Sequence, residues 1–138
     1  MPITTSYFAV SKHLNGTKIS IARYNPPWVR ANIDECIVSF APSSELLKRY
    51  KDGELNWEQY KNEYHKEQRF HYRHNPEDFD NLLERSESDE VLVLLCYEKF
   101  EGPRTKCHRF LLYDLLKKVS DNEGYETEFF DERPYKRI

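Results

Sequence analysis

Cys107, His108 and Arg109 stand side by side where a polar loop gives way to a helical pattern, and their types suit chemistry better than any others in the chain. At a helix's amino end, free backbone N–H groups and the positive end of the macrodipole favour an anion. A thiol placed there is pushed toward thiolate. A histidine can act as acid or base near neutrality. An arginine grips phosphate or carboxylate through paired N–H groups. The trio can therefore hold an anionic, phosphorylated or nucleotide-like ligand, with Arg109 on the anion, His108 as acid/base and Cys107 as nucleophile. Each has a plainer reading beside it: an inert buried thiol, a hydrogen-bonded core imidazole, a surface ion pair.

Such a trio needs a scaffold, and the preceding residues predict one. Val91 to Leu95 is an unbroken apolar run leading into Cys96, Tyr97 and Glu98. A run of this kind reads as a strand buried on both faces, as in a parallel sheet. The Gly102-Pro103 loop follows, and Thr105 is the expected cap of the next helix. In that helix Leu111, Leu112, Leu115, Leu116 and Val119 define the buried face, and His108 falls near its middle. Ligands in open α/β sheets collect beyond the carboxyl ends of the strands, so Cys96 and Glu98 join the candidate site.

An earlier segment, Lys18 to Tyr24, alternates with the strand period and puts Ile19, Ile21 and Arg23 on one face. Asn25-Pro26-Pro27 stops it, because proline cannot donate to a ladder. Arg23 and Tyr24 thus end a second strand, with Trp28 just beyond as a lid, a ligand platform or a core plug. A buried arginine requires an anionic partner, and Glu98 is the natural one. Its alternative role is direct contact with ligand.

A zinc site from Cys96, Cys107 and His108 is disfavoured, since adjacent helical residues diverge and no paired Cys-x-x-Cys spacing supplies a fourth ligand. Nothing in the pattern calls for a metal or a cofactor. The tract Gln68-Arg69-Phe70-His71-Tyr72-Arg73-His74 mixes cations with aromatics as single-stranded nucleic-acid surfaces do. Read alone it is a frayed end or solvated loop.

Between these segments the order is strand, then helices, then strand. Thr4 to Val10 suits an edge strand, with a turn at Asn15-Gly16. Ile33 to Phe40 is ambiguous between strand and helical turn. Ser43 or Ser44 can cap a helix over Glu45 to Lys51, and Asn56 a longer one carrying Trp57, Tyr60 and Tyr64 on one face. Pro76 suits the first turn of a helix over Glu77 to Arg85. Tyr125 to Phe130 predicts a late strand, and Asp131 to Ile138 a solvated tail.

The 138 residues fit one domain over 1–138, with a core from about 18 to 119 and a partly ordered extension over 120–138. A net charge of −3 selects neither nucleic acid nor an acidic membrane. No run approaches the roughly 20 apolar residues of a bilayer span, and the N-terminus lacks signal-peptide features. Three scattered cysteines do not make a secreted disulfide framework. The expectation is a cytoplasmic protein with no membrane partner and an open oligomeric state.

Leu94-Leu95-Cys96-Tyr97-Glu98 followed by Cys107-His108-Arg109-Phe110-Leu111-Leu112 resembles the pattern of the domain-of-unknown-function 488 family (YeaO-like proteins). Arg23 before Pro26, the Phe40-Ala41-Pro42-Ser43 step and the Trp57, Tyr60, Tyr64 helix are similar too. The resemblance covers about Lys18 to Val119. It implies a small Rossmann-like α/β domain and assigns no reaction, while the order of strands and helices itself predicts an α/β three-layer sandwich with a mostly parallel sheet and an inserted run of helices. The chain departs from it at Asn25-Pro26-Pro27-Trp28, where the family carries a richer Gly/Arg loop, and at Arg69–His74, which has no counterpart there. Two functions are thus set against each other. One is a domain, enzymatic or not, that binds a small anionic ligand at the Cys-His-Arg helix. The other is an interaction protein that engages nucleic acid or a protein partner through an aromatic-basic surface.

Overall fold

A computed structural model describes residues 2–7, 16–25, 27–30, 32–87, 91–96 and 108–129. Five strands form one parallel sheet: β1 (Pro2–Tyr7), β2 (Thr17–Ser20), β3 (Glu35–Cys36), β4 (Leu92–Cys96) and β5 (Glu128–Phe129), in the order β3-β2-β4-β1-β5. The helices are α1 (Pro27–Arg30), α2 (Ser44–Lys51), α3 (Trp57–His74), α4 (Pro76–Glu87) and α5 (His108–Glu123), with a 3-10 turn over Val38–Phe40. This is the α/β architecture with an inserted run of helices that the sequence predicts.

β4 holds the middle of the sheet, and all five of its residues are buried. Its side chains alternate as a pleat requires. Leu92 and Leu94 join one core with Ile3, Ile19, Phe79, Leu82, Leu112 and Leu116. Val93 and Leu95 join a second with Ala22, Cys96 and Phe110, against which Ile33 packs. Register agrees with this division: Ile3 pairs with Leu92 and Ile19 with Leu94. Helices α2 to α5 feed the first core, while the link from β2 to β3 covers the second face through Ala22 and Ile33. Connections leading toward β5 therefore use one face and the return toward β3 uses the other, as right-handed crossovers demand.

Local signals set the helix starts. Ser43 caps α2 by accepting from the Leu46 amide. Asn56 and Gln59 form a reciprocal capping box at α3. At Gly16 the backbone has φ +113°, and a Cβ there would lie 2.8 Å from the Val91 carbonyl oxygen. Only glycine allows the chain to enter β2 so close to β4.

Two expectations are corrected. The first strand spans Pro2–Tyr7 and is not an edge, because it is bonded to β4 on one side and β5 on the other. The tract Arg69–His74 is neither frayed nor a loop: α3 runs through it to His74. Tertiary contact decides this, since His71 is buried against Phe40 and Phe79, and Tyr72 meets Phe79 edge-on at 5.2 Å. The ambiguous stretch Ile33–Phe40 splits into the two-residue β3 and the 3-10 turn.

Candidate functional site

The chain leaves β2 toward β3 over one face of the sheet, whereas the chain after β4 returns through α5 on the other. Connections that diverge in this way open a crevice between the carboxyl ends of the two strands. Ile21, Ala22 and Arg23 follow β2 there, and Cys96 ends β4.

His108 opens α5 beside the carboxyl ends of β2 and β4, 7% exposed and packed among buried neighbours. Its Nε2 donates to the Ile21 carbonyl at 2.7 Å, which fixes the orientation of the ring. Cys96 Sγ lies 3.7 Å from Nδ1 and 3.9 Å from Nε2. Near-equal distances put the sulfur off the lone-pair direction of either nitrogen, so the thiol packs on the ring and is not aligned for proton transfer. Tyr64 completes the surroundings, its ring 5.7 Å from the imidazole and its hydroxyl donating to the Phe40 carbonyl at 2.7 Å.

Arg109 is fully buried, with its guanidinium carbon 4.8 Å from the Phe110 ring centroid. It is not a surface ion pair, and in this conformation it is not presented to solvent. Cys107 and Glu98 lie outside the described residues, as does the side chain of Trp28. Tyr24 is 61% exposed just past Arg23.

Arg23 is half-buried and more open than Arg109. Its Nε donates to the Pro42 carbonyl at 2.9 Å, and among the described residues none accepts from its two terminal amino groups. It lines a groove of about 470 Å³ together with Val38, Ser39, Ala41, Ser43, Lys66, Glu67, Gln68 and Phe70. Most polar atoms of that lining are already engaged. Glu67 accepts from the Ser43 amide at 2.9 Å and its hydroxyl at 2.5 Å. Lys66 pairs with Glu63 at 3.3 Å. Gln68 donates to the Ser39 carbonyl at 3.2 Å.

Gln68 also orients a buried histidine that sequence reasoning passed over. With its amide nitrogen turned to Ser39, its Oε1 faces His71 Nδ1 at 3.0 Å, while His71 Nε2 lies 2.6 Å from Asp78 Oδ2. Both ring nitrogens thus lie within hydrogen-bond reach of side-chain oxygens, so the imidazole ties α3 to the start of α4. The spacing Gln68, His71, Asp78 was visible, but nothing local shows that α4 folds back on α3. The segment from Val38 to Ser43, read from sequence as an ambiguous stretch, a family-like step and a helix cap, becomes a groove wall only through α3.

Among the described residues no three His, Cys, Asp or Glu side chains are placed to hold a metal ion, and no helix is long and apolar enough to cross a membrane. A family model described as DUF488-N3a, the active DUF488-N3 subclade, matches residues 3–120. No curated protein and no solved structure matches the chain. The match takes in β1 as well as the Cys96 and Cys107-His108-Arg109 elements on which the resemblance rests, and so the chain belongs to the DUF488-N3a family.

Proposed function

We propose that this domain binds a small anionic ligand, phosphorylated or nucleotide-like, in the groove that Arg23, just past β2, forms with the Val38–Ser43 segment and α3, with Arg23 as the group that meets the anion. The carrying observation is the fork of Arg23. Its Nε is spent on the Pro42 carbonyl, none of the described residues accepts from the two terminal amino groups, and the side chain belongs to a residue that lines the groove. A guanidinium held in this way is preorganised for bidentate capture of phosphate or carboxylate. His108 acts as a positioning residue: by tying α5 to the Ile21 carbonyl it fixes the backbone two residues before Arg23. Arg109 adds buried positive charge behind the crevice, and Cys107 is the nucleophile if the site performs covalent chemistry. The family description marks its subclade as active, which supports reading the domain as one with a working site.

Thermal-shift titration with adenosine monophosphate tests this. Ligand at 100 times its Kd stabilises the folded state by about 2.7 kcal/mol, so wild type should shift upward and Arg23→Ala should not. Equal shifts in the two proteins would remove Arg23 from the site.

A second reading has its own observation. Phe70 is 64% exposed on α3, flanked by the exposed Arg69, Arg73 and His74. Such a surface suits nucleic acid or a protein partner. Against it, Tyr72 of the same tract turns inward onto Phe79. A salt-sensitive gel shift lost in the Arg69→Ala, Arg73→Ala double variant would favour this reading over the first.

A further inference from the structure

We infer that the ligand of the Arg23 groove carries an aromatic ring, which lies on Phe70 while its anionic group sits on the Arg23 guanidinium; this rests on the anion site proposed above. The groove joins two unlike ends. Arg23 supplies the polar end, since Ser43, Glu67 and Gln68 spend their hydrogen bonds on one another and on nearby backbone. Phe70 and Val38, both exposed, supply the apolar end.

Phe70 is also braced. Its ring stacks on His74 with centroids 3.9 Å apart and planes inclined by 23°. His74 is held in turn by its Nδ1, which donates to the Phe70 carbonyl at 2.9 Å. One face of the phenyl ring is therefore covered and the ring is fixed in place, while the residue stays largely exposed. A rigid ring open on one face is a stacking platform that costs little entropy to use. About 470 Å³ is ample for one ring with one phosphate or carboxylate, and lies in the usual range of small-molecule sites. A free inorganic anion would leave Phe70 and Val38 in water. An aromatic hydrocarbon would leave Arg23 unmatched. An aromatic anion satisfies both ends.

Titration calorimetry with inorganic phosphate and with phenyl phosphate separates the claims, using wild type, Arg23→Ala and Phe70→Ala. Phe70 is a surface side chain, so its removal leaves the fold intact. The expected result is that phenyl phosphate binds wild type about tenfold more tightly than inorganic phosphate, a factor in the range of one aromatic stacking contact. Phe70→Ala should bring the two within about twofold by weakening phenyl phosphate alone, and Arg23→Ala should weaken both. Equal wild-type affinities that fall together in Arg23→Ala overturn the ring assignment and leave the anion site standing. A preference that persists in Phe70→Ala also overturns it. Failure of both probes to bind wild type removes the anion site and the inference together.

Discussion

The imidazole of His108 donates from Nε2 to the carbonyl of Ile21, 2.7 Å away and 87 residues earlier in the chain. That bond joins the first turn of α5 to the end of β2, both buried. Without the ring, the Ile21 carbonyl loses its partner where water does not easily replace it, and a void opens beside Cys96 and Tyr64. His108→Ala should therefore destabilise the fold by about 2–4 kcal/mol. Urea unfolding measures this, and an unchanged midpoint would show that the bond holds nothing together.

Arg109 makes a related prediction from its burial. Arg109→Met keeps the length of the aliphatic stem and deletes the guanidinium, so the stem's packing survives while the polar contacts do not. Stability should fall by about 2–4 kcal/mol, because polar groups around a fully buried guanidinium lose their partner. Circular dichroism during urea titration reads this, and a cost below about 0.5 kcal/mol, typical of surface positions, would contradict the burial.

Alkaline pH should weaken the fold through two phenols. The hydrogen bond from Tyr72 to Glu123 and partial burial push Tyr72 up to about 12, and burial with nearby Asp80 pushes Tyr125 up to about 12. Below the unfolded value of 10.0 both phenols are protonated in both states and their contribution is fully present. As pH rises from there toward 12, the unfolded chain gives up protons that the folded chain retains, and stability is lost. Tyr72→Phe should flatten this fall. Unfolding midpoints across the alkaline range, alongside phenolate absorbance, check it; an identical slope in the variant would exclude Tyr72 as its source.

Arg85 of α4 grips Glu35 of β3 through both amino groups, at 3.0 and 2.5 Å. This pair ties the short edge strand to the helical layer. It is half-buried, so solvent screens part of the attraction, yet the bidentate geometry retains some. A double-mutant cycle with Glu35→Ala and Arg85→Ala should give a coupling of about 1 kcal/mol. Coupling within error of zero would make β3 dependent on its backbone bonds to β2 alone.

What the sequence determined by itself was local. The apolar run Val91–Leu95 could be stable only as a strand covered on both faces, and it lies at the centre of the sheet. Asn56 with Gln59, Ser43 and Pro76 mark helix starts because capping chemistry acts within three or four residues. His108 and Arg109 stand in the first turn of α5, where the helical spacing of the following leucines puts them, and the motif they belong to carried the family resemblance. What tertiary structure decided depended on partners distant in the chain. Arg69–His74 became helix because Phe79 and Asp78 meet it from α4. Arg109 went inside, and Arg23 opened on a groove because the Val38–Ser43 segment and α3, distant in the chain, come against it. Helix caps and strand periods are short-range physics, whereas burial of a charge is settled by which surfaces the folded chain brings against it.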